Sequence, residues 1–413
     1  MPKLARVPGP RRDGGIGPIP RPPFDCVALL LQGGGSLGAY QGGVYQALAE
    51  ADLHPDWVAG ISIGAINAAI IAGNPPERRV ERLRAFWDQV TGNPLGQWVD
   101  PWLGRPEQLS GIGDMAHGLL DQLSTFQAFV AGAPGFFKPR VPPPGLFPSG
   151  KPESTSFYDT AALATTLESL VDFDRINSKA MHFSVGAVNV RTGNFVYFDT
   201  DTHRIGPRHV MASGALPPGF PAIEIDGEYY WDGGLVSNTP LRWVVEFEPR
   251  RDTLAFQVDL WSARGEFPRD MTDVAVRQKE IQFSSRTRAA TDRIKSTQRI
   301  RSNLARLLGD VPAELRDTAE GRVLTEFADL KVCNIVQLIY RSKHYEGNTK
   351  DCEFSRLSMA DHWVAGYEDA VRALQHKEIF ERPSTEEGFR AFDFQDEQSA
   401  EHDAARRQAE GRS

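Results

Sequence analysis

The sequence predicts an α/β fold, a three-layer sandwich with a mostly parallel central sheet covered by helices. Residues 26–32, CVALLLQ, form a short, unbroken apolar run stopped by Gly33, the pattern of a strand buried on both faces. The following GAYQGGVYQALAEADL carries helical periodicity, and its Gly42 and Gly43 permit close packing on a sheet. DWVAG (56–60) and IGAINAAIIAG then repeat the strand–turn–helix unit, the second helix being stopped by Gly73 and Asn74 ahead of Pro75 and Pro76. Two such units in succession imply a parallel sheet with helical crossovers.

The remaining elements follow in order. Region 91–150 is interrupted by prolines and scattered aromatics, including Trp98, Trp102, Phe126, Phe136 and Phe137. It is expected as helices and loops inserted on the sheet, either a lid or a packed excursion. AMHFSVGAVNV (180–190) is a core strand, RTGN a turn and FVYFDT its hairpin partner. RHVMASGAL is a short helix ended by Pro217 and Pro218, and AIEI-DG-EYYW (222–231) carries the Asp-Gly signature of a hairpin. TLAFQVDLWS (253–262) and VCNIVQLIY (332–340) are further strands, with a long Arg/Gln-rich helical stretch over 270–309 between them. SMADHWVAGYEDAVRALQ (358–375) is a helix opening on a Ser/Asp cap. The expected organisation is a Pro/Arg-rich flexible leader (1–24), a catalytic domain (25–260) holding the 91–150 insertion, an extension packed on it (261–380), and a charged, disordered tail (381–413).

Composition narrows the function. The 413 residues hold 41% hydrophobic and 24% charged residues, an ordinary globular balance. A formal net charge of −8 argues against a nucleic-acid partner. Cys26, Cys333 and Cys352 fall in no metal-ligand or disulfide spacing. The leader has no continuous apolar core of a secretory signal, and no segment nears the length of a spanning helix, so a cytoplasmic protein is expected.

Three short segments carry chemistry. Ser62 lies in GISIG (60–64), matching the G-x-S-x-G elbow, in which a sharp strand-to-helix turn lifts the hydroxyl off the sheet and Gly60 and Gly64 avoid clashes. Helix amides just beyond Ser62 favour developing negative charge. Gly33, Gly34 and Gly35 end the first strand; their amides could converge as an oxyanion hole, or the glycines could simply permit tight packing. A phosphate loop is not supported, since GGGSLG lacks the required lysine. Asp232, flanked by Gly233 and Gly234 in WDGGLVSN, could accept the serine proton or merely shape a turn. Late histidines (His344, His362, His376) would serve a Ser–Asp–His order, but that fold places several strands before its nucleophile. His182, His203 and His209 are expected to be structural.

GGGSLG, GISIG and DGG in this order, with ASGALPPGFPAIEI before the last, resemble the patatin-like phospholipase family over about residues 26–240. The resemblance implies a Ser–Asp dyad of Ser62 and Asp232, with Gly33, Gly34 and Gly35 as the oxyanion hole and no metal or organic cofactor. It implies hydrolysis of carboxylic esters of lipids. The family's loop usually carries arginine where this chain has Leu37, which leaves that arginine's role unfilled. NTKDCEFSRLSMADHWVAGYEDA resembles an extension found in a bacterial branch of the family. Acyl transfer, thioester hydrolysis and a non-catalytic interaction module are the competing functions. Peripheral membrane contact and homo-oligomer formation stay open. The cations of 277–308 (Arg277, Lys279, Arg286, Arg288, Arg293, Lys295, Arg299, Arg301, Arg306) could face anionic lipid, a sheet or a second copy.

Overall fold

Strand β1 (Cys26–Leu31) is the axis of the molecule, hydrogen-bonded in parallel to β2 (Trp57–Ile61) on one side and β9 (Thr253–Asp259) on the other. In this computed structural model the described residues are 17–92, 132–265, 267–284, 287–341, 351 and 353–394. The main sheet is completed by β5 (His182–Asn189), β6 (Phe195–Asp199), β7 (Ile223–Ile225), β8 (Glu228–Asp232), β10 (Cys333–Ile339) and β11 (Phe389–Asp393). Its order is β11-β10-β9-β1-β2-β5-β8-β7, with β6 also paired to β5. Pairings from β11 through β5 are all parallel; β6 and β8 run antiparallel to β5. A two-residue pair, β3 (Lys138–Pro139) and β4 (Tyr158–Asp159), stands apart from it.

Alternation along the strands divides the core into two layers. Val27, Leu29, Leu31, Val58, Phe256 and Val336 pack beneath α1 (Ala39–Glu50), α2 (Ile63–Ala72) and α3 (Pro76–Val90). Cys26, Ala28, Leu30, Trp57, Ala59 and Ile335 face the opposite way. The connecting helices are α4 (Ala161–Leu170), α5 (Phe173–Asn177), α6 (Pro207–Ser213) and α7 (Leu241–Glu246), then α8 (Met271–Phe283), α9 (Thr287–Asp310), α10 (Ala313–Arg316), α11 (Ala319–Phe327) and α12 (Arg356–Gln375). Leu241, Val244 and Val245 of α7 and Ile294 of α9 cover that second face. The three-layer α/β architecture is therefore as the sequence predicts.

Several boundaries differ. The helical stretch over 270–309 is two helices, because α8 ends at Ser284, whose amide still bonds the Glu280 carbonyl. Helix α12 starts before the expected cap: Ser355 is the N-cap and its hydroxyl accepts the Ser358 amide. The tail expected to be disordered from 381 instead supplies β11, because Phe389 has a buried place beside β10. Of the expected insertion, residues 93–131 lie outside the described residues, while Phe136 and Phe137 are buried against Phe220 and Phe354. The extension is fused to the sheet through β10. Its helix α12 also meets α1, where the Trp363 carbonyl lies 1.9 Å from the position a Cβ on Gly43 would occupy.

Candidate functional site

Strand β5 aligns the two candidate catalytic groups. Its Ala187 pairs with Val196 of β6 on one edge and with Asp232 of β8 on the other. On that second edge β2 pairs only as far as Ile61 opposite Gly186. The end of β2 and the end of β8 therefore meet at consecutive positions of β5, which brings Ser62 to Asp232. The sequence separation of 170 residues (232 − 62) closes through one backbone ladder.

Ser62 has φ 55° and ψ −124°, a left-handed φ that is strained for any side chain but glycine. Its amide is held by both the carbonyl (3.1 Å) and the hydroxyl (3.0 Å) of Ser213, and the Ser213 hydroxyl in turn donates to the Gly186 carbonyl at 2.6 Å. The flanking glycines are required by contact: a Cβ on Gly60 would lie 2.2 Å from the Gly64 carbonyl oxygen, and one on Gly64 equally close to that of Leu31. This turn leads straight into α2, whose first amides face the serine.

Asp232 is buried, 2% exposed. Its carboxylate accepts the Gly234 amide at 2.7 Å. Burial pushes its pKa up to about 7, against the lowering effect of the neighbouring Ser62 hydroxyl and Gly234 amide. A carboxylate so poised is half ionised near neutral pH and basic enough to take a hydroxyl proton. Gly233 keeps the loop against the sheet; a Cβ there would come within 2.6 Å of the Gly186 carbonyl oxygen.

The glycine loop borders the serine, since a Cβ on Gly33 would lie 3.0 Å from the Ser62 Cβ. The three glycines are not equivalent. The Gly33 amide donates to the Asn238 carbonyl at 3.3 Å, so this expected oxyanion donor is already engaged. The Gly34 and Gly35 amides have no hydrogen-bond acceptor among the described residues. Gly35 has φ 57°, and the Asp351 carbonyl oxygen lies 2.1 Å from where its Cβ would be. Leu37 points into the core, fully buried, where it takes no part in the mouth of the site.

Three supporting residues carry no motif signal recognised in the sequence. Asn238 donates to the Gly33 carbonyl (3.0 Å) and to the Phe283 carbonyl (2.8 Å), joining the dyad loop, the glycine loop and the end of α8. Gln32 accepts the amides of Leu260 and Trp261 and receives Gln41 on its own carbonyl. Ser213 braces the elbow as described. The signal available for Asn238 was its position six residues after Asp232 in WDGGLVSN, and for Ser213 its place in ASGALPP.

The histidines stand elsewhere. His362 is buried edge-on to Tyr340, and His376 bonds Glu378 and stacks on Phe394. His344 lies outside the described residues. His182 sits at the opposite end of β5, stacked on Trp57 and bonded to Asp199 at 2.8 Å. His182, Asp199 and Asp201 place ligand-type atoms within 4.8 Å of one another. The Asp199 oxygens there are engaged by His182, Ser184, the Asp201 amide and Trp243, a hydrogen-bonded cluster that secures the strand end.

Residues 29–244 match the profile described as patatin-like phospholipase, and residues 281–386 match one described as patatin phospholipase. Among solved structures, the chain is similar to VipD from Legionella pneumophila, at 16% identity and a TM-score of 0.35 over 84% of this chain and 66% of that one. No curated protein matches the chain.

Proposed function

The chain belongs to the patatin-like phospholipase family, and on that premise we propose that it is a serine acyl hydrolase in which Ser62 and Asp232 act as a catalytic dyad on lipid esters. Membership of the family implies lipid ester hydrolysis; the assignment of residues is our reading. The observation that carries it is the ladder on β5, which sets the end of β2 at Ser62 beside the buried Asp232 carboxylate. In this reading Asp232 takes the Ser62 proton as the hydroxyl oxygen attacks the ester carbonyl. The amides of Gly34 and Gly35 receive the tetrahedral oxyanion. Protonated Asp232 then returns its proton to the departing alcohol, leaving an acyl-serine. Water, deprotonated by the same carboxylate, attacks the acyl-serine, and Asp232 returns that proton to the Ser62 oxygen as the acid is freed.

Ser62→Ala is expected to lower hydrolysis of a p-nitrophenyl ester by at least about 1000-fold with the fold intact, and to abolish labelling by a fluorophosphonate probe. Retained turnover would remove Ser62 from the mechanism. Replacing His344, His362 and His376 together is expected to leave kcat within a few-fold of the parent, whereas a triad would collapse.

A further inference from the structure

Helix α8 is amphipathic in the reverse sense. A surface helix normally turns its charges to water and its apolar stripe inward. Here no described side chain of α8 is buried, and Met271, Val274, Gln278 and Ile281 are exposed at spacings of three and four residues, forming one uncharged face. Met271 is 80% exposed, and Phe267, just ahead of the helix, 92%. The charged side chains lie on the other side, where they are neutralised. Arg277 donates to the Ser262 and Ala263 carbonyls and pairs with Glu280, while Lys279 pairs with Asp351 at 2.9 Å.

The C-terminal end of this helix reaches the site. The last carbonyl of α8, that of Phe283, accepts the Asn238 side chain, and exposed Leu235 and Val236 lie between Asn238 and Asp232 in the sequence.

We propose that the α8 ridge, with Phe267, Leu235 and Val236, seats the enzyme on an uncharged or zwitterionic lipid surface and presents the site to it. The proposal rests on the lipid-ester reading of Ser62 and Asp232. The occupant follows from charge: Met271, Val274, Gln278 and Ile281 offer no cation, Arg269 beside them pairs with Asp273, and a chain of net charge −8 is repelled by an anionic surface. On α8 itself, Arg277 and Lys279 are held in ion pairs within the protein.

The test uses full-length Ser62→Ala protein, which leaves lipid intact, with phosphatidylcholine vesicles in a flotation assay. Flotation is expected, and Met271→Gln, Val274→Gln and Ile281→Gln combined are expected to reduce it by about tenfold or more. In the Ser62 enzyme the same triple change is expected to lower turnover of vesicle lipid at least about tenfold more than turnover of a soluble short-chain ester. Flotation that survives the triple change, or equal losses on both substrates, overturns the proposal. So does a parent that fails to float, or a parent dimer that the triple change splits into monomers, which would assign the ridge to a second copy. Failure of the dyad reading is distinct: it shows as Ser62→Ala protein that still hydrolyses ester.

Discussion

Asp232 carries two opposed demands. Because burial raises its folded-state pKa to about 7, only its ionised fraction can accept the serine proton. On the dyad reading, kcat/KM should rise about tenfold per pH unit below 7 and level off above it, measured on an ester whose own hydrolysis is subtracted. A profile flat from pH 5 to 8 would contradict the assignment. Stability runs the other way. The folded pKa lies above the unfolded value of 3.8, so the folded state holds the proton more tightly. The stability this group contributes is complete below about pH 4 and is lost as pH rises through 7. Asp232→Asn should therefore be inactive yet gain stability relative to the parent above pH 7, by up to about 4 kcal/mol in urea unfolding. Gly35→Ala probes the oxyanion loop by the same logic of close contact. With φ 57° and the Asp351 carbonyl in the way, it should lower kcat by about 10- to 100-fold, with KM nearly unchanged.

At the level of elements, the meeting of α1 and α12 is set by glycine. Gly43 lies against the Trp363 backbone, and Gly366 lies against the Tyr40 carbonyl, 2.0 Å from its would-be Cβ. Trp363 then reaches Gln46 with its indole N–H at 2.8 Å and is covered by Arg84. Neither helix can withdraw without moving backbone, so Gly43→Ala should cost about 2–3 kcal/mol in denaturant unfolding. A near-neutral result would mean that the helices slide freely. Gly42 and Gly43 of α1 were expected to permit close packing on the sheet; they pack on α12 instead. That helix comes more than 300 residues later, and nothing local encodes the encounter.

For the whole molecule, β10 and β11 extend one continuous sheet, so the region expected as a catalytic domain (25–260) and the extension expected to pack on it (261–380) share that sheet. Strand β10 pairs along all of β9, and the side chains of Asp252 and Arg382 are joined by two hydrogen bonds. Ending the chain at 330 would expose Leu254, Phe256 and Val258 along a bare edge. Such a chain is expected to be insoluble; a soluble, cooperatively unfolding fragment would show that the catalytic region folds alone.

Short-range pattern determined much of this protein. An apolar run of seven residues ended by glycine is short enough to read as a buried strand and turn, and the elbow at Ser62 follows from glycines two residues either side of it. Those constraints are local, because they arise from backbone sterics within a few residues. The split of Gly33 from Gly34 and Gly35, the roles of Asn238 and Ser213, and the outward apolar face of α8 were decided by tertiary structure. Each depends on which distant group occupies an amide, a carbonyl or a helix face. Periodicity shows that a helix has two sides, but only the packed neighbours decide which side meets water.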